Sequence, residues 1–197
     1  EKQAERERQQ AHEAAVRADL ERLEQQRKTL LPLVARLAFR DAATAWSEVY
    51  GSVETAEGRE AFQRYRKQYR RMDELKSFLI RSIGRQPYRG ADVRRELGGD
   101  AMGADASGIE ISLGQHGAIT KAWDQVSGKL FLRMTAHYIA RTDLQPARRA
   151  DLYLSLAVYC RLRGAEQLAR GFIKRAIDAH PEIEEEARAL LPELAGD

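Results

Sequence analysis

Residues 102–127 constrain the fold most, because they are the one part of the chain that lacks the pattern of a helix. Ile109, Ile111 and Leu113 alternate with polar residues, which is the period of a half-buried β-strand. The next four residues, 114–117, have the glycine content and length of a hairpin turn. The sequence therefore predicts a β-hairpin in an otherwise helical chain.

Two further strands complete the predicted sheet, one at residues 118–122 and one at residues 101–106. A lone hairpin is marginal in water, so this small meander must pack against helices. Trp123 is the expected anchor, because its large ring can fasten the sheet to the helices around it. We interpret the meander as a structural insert between two helical parts, with a small barrel-like binding module as the alternative.

The chain before the meander predicts three helices. Residues 1–30 are strong helix formers, but the first half of this segment is polar on every side. Pro32 is expected to kink the helix or to start a new one over residues 33–50, and a third helix runs from about Thr55 or Arg59 to Ser82. A heptad-like apolar seam comprises Val16, Leu20, Leu23, Leu30, Val34 and Leu37.

After the meander, Ser127 is a plausible N-cap for the first of four helices. The predicted helices span residues 128–141, 148–163, 166–180 and 182–194. In the third of these, apolar spacing predicts a buried face made of Leu168, Phe172, Ile173 and Ile177.

The helix pair within residues 153–181 resembles a tetratricopeptide repeat (TPR). The resemblance lies in a turn glycine, two small alanines and a terminating proline, namely Gly164, Ala169, Ala176 and Pro181. It covers one repeat, whereas TPR solenoids stack three or more. It therefore implies a solitary TPR-like hairpin at the C-terminus and no peptide-binding solenoid.

The order of elements also resembles the C-terminal accessory regions of large planctomycete-type bacterial serine/threonine kinase polypeptides. This resemblance rests on residues 108–111 (Gly-Ile-Glu-Ile), on residues 123–127 (Trp-Asp-Gln-Val-Ser) and on the helical pair that follows. It implies no activity for this chain, whose sequence contains no kinase motif.

The predicted fold class is mainly α with a small β meander. It comprises an N-terminal coiled-coil-like helical hairpin, a short antiparallel sheet and a C-terminal TPR-like helical bundle. The predicted regions are a helical hairpin or coiled-coil region at 1–84, a linker at 85–100, and the meander with the C-terminal helices at 101–197.

Composition limits the class of protein. Hydrophobic residues make up 43% and charged residues 32%, which fits long exposed helices around a modest core. A single cysteine, Cys160, precludes an internal disulfide and indicates a reducing compartment, so we expect a cytoplasmic protein. Few Lys among many Ala, Arg and Glu residues suggest a GC-rich bacterial source. No apolar run has the length of a membrane span, and a start at Glu1 suggests an excised fragment.

The net charge of +3 is unevenly distributed, with twelve Lys/Arg against five Asp/Glu in residues 59–96. This basic helix, residues 59–85, is the candidate partner-binding surface. Its candidate residues are Arg59, Arg64, Arg66, Lys67, Arg70 and Arg71. It could bind an acidic protein surface, contact nucleic acid, or simply be solvated. Tyr65 and Tyr69 share the apolar face of the helix, which argues against stacking on RNA bases.

Catalytic and cofactor motifs are absent from the sequence. The four histidines are scattered without metal-ligand spacing, and the glycine-rich segment 98–108 lacks the Gly-Lys-Ser/Thr ending of a phosphate-binding loop. Cys160 is expected to be a buried small hydrophobe. We therefore predict no cofactor and no enzymatic activity.

The favoured function is protein–protein interaction or scaffolding within a larger polypeptide, through a partner or a homodimer formed by the N-terminal helix. Nucleic-acid association through the basic helix is the alternative. We expect no membrane association.

Overall fold

The computed structural model describes residues 2–194 and is mainly α with a small antiparallel sheet, which confirms the predicted fold class. The helices are α1 (Lys2–Ala35), α2 (Phe39–Ser47), α3 (Ala56–Arg85), α4 (Ala91–Leu97), α5 (Gly128–Arg141), α6 (Pro146–Leu162), α7 (Glu166–Ala179) and α8 (Ile183–Leu190). The strands are β1 (Asp100–Ala104), β2 (Gly108–Ser112) and β3 (Ala118–Ala122).

Helix α6 is the centre of the protein. Residues Leu154–Cys160 are all buried, so this helix is covered on every side, as its apolar sequence requires. Phe39 of α2 lies against Phe131 of α5 and Tyr159 of α6, with ring centroids 5.7 and 5.9 Å away. One hydrophobic core therefore extends from the N-terminal helices to the C-terminal helices.

Trp46 is the centre of the packing between α2 and α3. Its ring is fully buried and stacks on Phe62 with centroids 5.6 Å apart. Tyr65 and Tyr69 contact the same ring at 5.2 and 5.6 Å. The indole N–H donates a 3.1 Å hydrogen bond to the carbonyl of Phe62. The aromatic residues of α3 thus face α2, as the apolar spacing of the sequence predicted.

Helix α1 continues through Pro32 and ends at Ala35, so the predicted start of a new helix directly after the proline is wrong. Proline has a helical φ and removes one hydrogen bond, which a long helix tolerates near its end. The chain turns instead at Leu37, whose φ of 59° is left-handed. The N–H of Ala38 bonds the carbonyl of Leu33 at 2.9 Å, and the N–H of Leu37 bonds that of Val34 at 3.2 Å. This is a Schellman motif with leucine in the usual glycine position.

The burial of Leu37 explains why leucine can occupy the usual glycine position of this turn. Its side chain is fully buried, and its carbonyl accepts a 2.9 Å hydrogen bond from the Lys76 ammonium of α3. A left-handed leucine costs about 1–2 kcal/mol. Full burial of the side chain contributes about 1.5–3 kcal/mol, which offsets that strain.

The sheet has the order β1-β2-β3 with antiparallel neighbours, as predicted. Ile109 and Ile111 of β2 are buried, whereas Glu110 between them is exposed, which confirms the predicted alternation. Trp123 follows β3 and is only 4% exposed. Its indole N–H donates a 2.8 Å hydrogen bond to the carbonyl of Asp105, and the Lys76 ammonium lies 4.7 Å from its ring centroid. The ring therefore joins the sheet to α3.

The predicted linker at 85–100 contains a helix, α4, which ties the sheet to α5. The Glu96 carboxylate accepts hydrogen bonds from the backbone N–H of Ser127 at 2.6 Å and from its hydroxyl at 2.8 Å. The Ser127 hydroxyl oxygen in turn accepts a 3.1 Å hydrogen bond from the N–H of Leu130, which confirms the predicted N-cap.

Helices α6 and α7 form a close pair around a left-handed turn at Gly164, with a φ of 73°. Ala169 and Ala176 of α7 are fully buried. The predicted burial of Leu168 is wrong, because 52% of this residue is exposed. Successive helical residues are 100° apart, so an orientation that buries Ala169 and Ala176 turns Leu168 to the solvent edge of the helix.

Candidate interaction surfaces

The candidate basic residues of α3 fall into two groups. Arg59, Arg66, Lys67 and Arg70 are exposed, whereas Arg64 and Arg71 are partly buried. Arg64 lies over the ring of Tyr65, 5.5 Å from its centroid. The structure therefore does not bring the six residues together as one free surface.

Arg71 joins three helices instead of facing solvent. Its guanidinium donates hydrogen bonds to the Glu186 carboxylate of α8 at 2.5 Å, and to the carbonyl and carboxylate of Asp151 of α6 at 3.2 and 3.4 Å. Only 13% of the side chain is exposed. Arg71 of the basic helix is thus paired with Glu186 of α8 within the same protein, so part of the positive charge of α3 is balanced internally.

We expect Arg71→Ala to lower the free energy of unfolding by about 1–2 kcal/mol, because two carboxylates lose a charged hydrogen-bond donor. Both acids are partly exposed, so water moderates the loss. Urea unfolding checks this value. Arg70→Ala is the matched control and should leave stability nearly unchanged, since the ion pair of Arg70 with Glu74 lies at the surface. Equal losses in the two variants would show that Arg71 does not join the helices.

The exposed Lys and Arg residues of α3 form a basic row that is interrupted near the middle of the helix. The row comprises Arg59, Arg66, Lys67, Arg70, Arg81 and Arg85. Asp73 pairs with Arg40 of α2 at 3.8 Å, and Glu74 pairs with Arg70 at 3.2 Å. Tyr65 and Tyr69 are committed to the Trp46 cluster, so neither ring is free to stack on a base. The alternative of nucleic-acid binding would therefore depend on phosphate contacts alone.

The exposed face of α1 is the second candidate surface. This helix has 34 residues and is about 50 Å long. All residues from Lys2 to Ala14 are exposed, and Leu20 of the predicted seam is 43% exposed. Val16 and Leu20 line a shallow groove of about 770 Å³ that runs along the helix to Lys28. Of the residues of the predicted seam, Leu23, Leu30, Val34 and Leu37 are buried, Val16 is partly buried, and Leu20 remains largely exposed.

The face of α1 next to this groove is clamped to the start of α3 by Asp19, which is buried. One carboxylate oxygen accepts hydrogen bonds from the N–H of Glu54 at 3.0 Å, and from the N–H and hydroxyl of Thr55 at 2.8 Å each. Arg22 donates to the other oxygen at 3.1 Å. The Thr55 hydroxyl oxygen accepts from the N–H of Gly58 and so caps α3.

The ionisation of Asp19 reflects this environment. Burial by itself would raise the pKa of the carboxyl, but the hydrogen bonds from Thr55 and Glu54 and the charge of Arg22 outweigh it and lower the pKa below 3.8. The clamp therefore contains a carboxylate at neutral pH. These hydrogen bonds hold α1 in one orientation on α3, so the same residues of α1 always face solvent.

Other reactive groups are not gathered into a site within residues 2–194. Burial raises the pKa of the Cys160 thiol to about 12, so this thiol stays protonated. Among these described residues, no group of three or more His, Cys, Asp or Glu side chains has the arrangement of a metal site. None of the described helices has the length and apolar character needed to cross a membrane.

Comparison with known proteins identifies no relative: no family model, curated protein or solved structure matches the chain.

Two features of these surfaces were missed by the sequence analysis. Asp19 was not singled out in the sequence, where its position four residues before Leu23, on the buried side of α1, was the one available signal. Arg81 and Arg85, at the end of α3, were counted in the basic helix but not singled out as a pair. They line one cleft together with residues of the α5–α6 loop, which is distant in sequence.

Proposed function

We propose that this chain is a non-catalytic protein–protein interaction or scaffolding module that self-associates through α1. The observation that carries the proposal is the contrast between the two faces of this helix. Asp19 and Leu23 hold one side of the helix on the body, while Leu20 is 43% exposed and Val16 is only partly buried, which leaves an apolar strip on an adjacent face. A second copy of the chain would cover this strip.

The length of α1 supports a helical partner. Isolated helices are marginal in water, and most helical stability in proteins comes from packing of an apolar face. Residues 2–11 precede His12, which lies 3.3 Å from Glu57 in the first turn of α3. This first part of α1 therefore extends past the beginning of α3 and gains stability when another helix lies beside it.

Charge complementarity favours a second copy in the antiparallel orientation. Glu13, Arg17, Glu24 and Lys28 line the groove together with Leu20. When two copies of α1 cross between positions 20 and 21, Glu13 faces Lys28 of the other copy, and Arg17 faces Glu24. Each pair occurs twice because a two-fold interface is isologous. Charges that flank a helical seam in this way select partner and orientation.

The expected association is weak. The uncovered strip contains only two apolar side chains, and exposed ion pairs contribute about 0–1 kcal/mol each. Glu24 is also held within its own helix by Arg27 at 2.8 Å. We therefore place this interface with the small, transient class that buries less than about 1,200 Å².

Leu20→Glu tests the proposal, because this exposed leucine can be replaced without disturbing the core. We expect light scattering to show that the unaltered chain dimerises at a concentration of about 100 µM. The variant should remain a monomer at the same concentration. Leu168→Glu removes a comparably exposed leucine from α7 and is the matched control, which should dimerise normally. A monomeric unaltered chain at this concentration would refute self-association.

Charge reversal tests the orientation separately. Lys28→Glu places two carboxylates opposite each other in the antiparallel arrangement and should weaken dimerisation. Adding Glu13→Lys to this variant restores opposite charges and should recover it. A double variant that dimerises no better than Lys28→Glu would overturn the antiparallel arrangement, even if the chain still self-associates.

The close α6–α7 pair supports the further proposal that the C-terminal helices are a solitary TPR-like hairpin that builds the body of a scaffold in a larger, cytoplasmic bacterial polypeptide. Buried alanines and a glycine turn are the features that such hairpins use. The C-terminal helices then form a rigid body, and α1 forms the contact with the second copy of the chain.

A further inference from the structure

A cleft of about 420 Å³ lies between the end of α3 and the α5–α6 loop, away from the groove on α1. Three arginines line it: Arg81 and Arg85 from α3, and Arg148 from the first turns of α6. No Asp or Glu is among the lining residues, and Asp143, which belongs to the same loop, is exposed and does not line the cleft. The cleft therefore concentrates positive charge without a lining carboxylate.

The two cleft arginines that α3 contributes have no partner among the described residues 2–194. Neither Arg81 nor Arg85 makes an ion pair or a side-chain hydrogen bond in this part of the chain. They are four residues apart on one helix, where like charges destabilise the helix. Arg148 is weakly paired, with its guanidinium 3.9 Å from the Asp151 carboxylate. An anion in the cleft would relieve this repulsion.

The helix ends do not cancel this charge. The carboxyl ends of α3 and α5 each contribute about half a negative charge, and the amino end of α6 contributes about half a positive charge. The net charge of the three helix ends, about half a negative charge, is small compared with the three positive charges of the guanidinium groups. Guanidinium also forms paired hydrogen bonds that match the oxygens of a phosphate group.

The other walls of the cleft are partly apolar. Phe78 and Tyr138 are nearly covered, and Leu144 of the loop lies beside them. The Tyr138 hydroxyl donates to the carbonyl of Gln86 at 2.5 Å, which holds the ring in place. Small-molecule sites in proteins occupy about 300–1,000 Å³ and combine apolar walls with a few convergent polar groups. The volume of this cleft is at the small end of that range.

We propose that the cleft bounded by Arg81, Arg85 and Arg148 binds a phosphate monoester of a small organic molecule. The arginines hold the phosphate, and the organic group packs on the apolar wall. This site goes beyond the proposed self-association, and its residues are not part of the groove on α1.

Binding can be measured by calorimetry at constant ionic strength, with inorganic phosphate and a nucleoside monophosphate as the two probes and chloride as the reference anion. We expect both probes to bind, with the nucleoside monophosphate tighter because its organic group packs on the apolar wall. Equal affinity for both probes would overturn the role of the apolar wall and assign the site to free phosphate. Absence of binding by either probe beyond the chloride reference overturns the proposal.

The double variant Arg81→Ala/Arg85→Ala should weaken binding of the probe by at least about tenfold, since it removes two of three charged donors. Arg66→Ala/Lys67→Ala removes two exposed cations from the other part of α3 and is the matched control, with an affinity within about twofold of the unaltered chain. Unfolding curves of both variants show whether either loses the fold. Equal weakening in the two folded double variants would show a diffuse charge effect and overturn the cleft assignment.

A short nucleic-acid duplex at the same phosphate concentration separates this site from the part of the basic row that precedes Asp73. Binding of the monophosphate that depends on Arg81 and Arg85 but not on Arg66 and Lys67 supports the cleft. Binding of both the duplex and the monophosphate that depends on Arg66 and Lys67, and not on Arg81 and Arg85, would instead identify a nucleic-acid surface and overturn the proposal.

Discussion

Replacing Trp46 with alanine is expected to lower the free energy of unfolding by about 3–5 kcal/mol. The ring is fully buried between α2 and α3 and contacts three aromatic rings, those of Phe62, Tyr65 and Tyr69. Its removal leaves a cavity that these rings cannot fill without leaving their own positions. Urea unfolding followed by circular dichroism measures this loss.

Trp46→Phe separates the hydrogen bond from the packing. Phenylalanine keeps an aromatic ring in the cluster but cannot donate to the carbonyl of Phe62, so we expect a smaller loss of about 1–2 kcal/mol. If Trp46→Ala and Trp46→Phe cost the same, the aromatic cluster does not hold α2 on α3. A loss below about 1 kcal/mol for alanine would show that the site collapses around the smaller residue.

Replacing Asp19 with alanine is expected to lower the free energy of unfolding by about 2–3 kcal/mol at neutral pH. The substitution removes the acceptor for the N–H groups of Glu54 and Thr55 and for the Thr55 hydroxyl. Asp19 is covered but lies close to the surface, so water moderates the cost of the orphaned donors. Glu21→Ala, at an exposed position of the same helix, is the control and should leave stability nearly unchanged.

The effect of Asp19 should depend on pH in a definite direction. The folded protein lowers the pKa of this carboxyl, so the folded state favours the carboxylate more than the unfolded state does. Its contribution is fully present above the ordinary pKa of 3.8 and is lost as the pH falls through the lower folded value. The stability difference between the unaltered chain and Asp19→Ala should therefore shrink below about pH 4. A difference that stays constant between pH 7 and pH 3 would contradict this ionisation.

The positions of helices and strands could largely be predicted from the sequence, because they depend on neighbouring residues. Ser127 caps α5 as predicted, since its hydroxyl bonds an N–H only three residues away. The alternation around Ile109 and Ile111 predicted β2 for the same reason, because successive side chains in a strand point to opposite faces. The turn at Gly164 also follows from one residue, which adopts a left-handed φ at little cost.

The end of α1 shows where local rules were insufficient. Pro32 is a local signal for a helix break, yet α1 continues to Ala35, and the chain turns at Leu37, five residues after the proline. Leucine is an unfavourable residue for a left-handed turn, and only its burial and the hydrogen bond from Lys76 make it favourable there. Both contacts come from residues that are distant in sequence.

The faces that remain uncovered were also decided by the tertiary structure. Leu20 and Leu168 follow apolar spacing as well as Leu23 and Phe172 do, but only the latter two are buried. Periodicity places an apolar side chain on one side of a helix and does not say how much of that side a neighbour covers.

The basic residues also show a difference between what the sequence determined and what the tertiary structure decided. The sequence by itself determined the helical class, the small sheet and the concentration of positive charge on α3. Only the tertiary structure decided that Arg71 pairs with α6 and α8, and that Arg81 and Arg85 meet Arg148 across a cleft. The physical reason is that a charge acts on whatever lies within a few ångströms, and for these arginines those neighbours are more than sixty residues away in the chain.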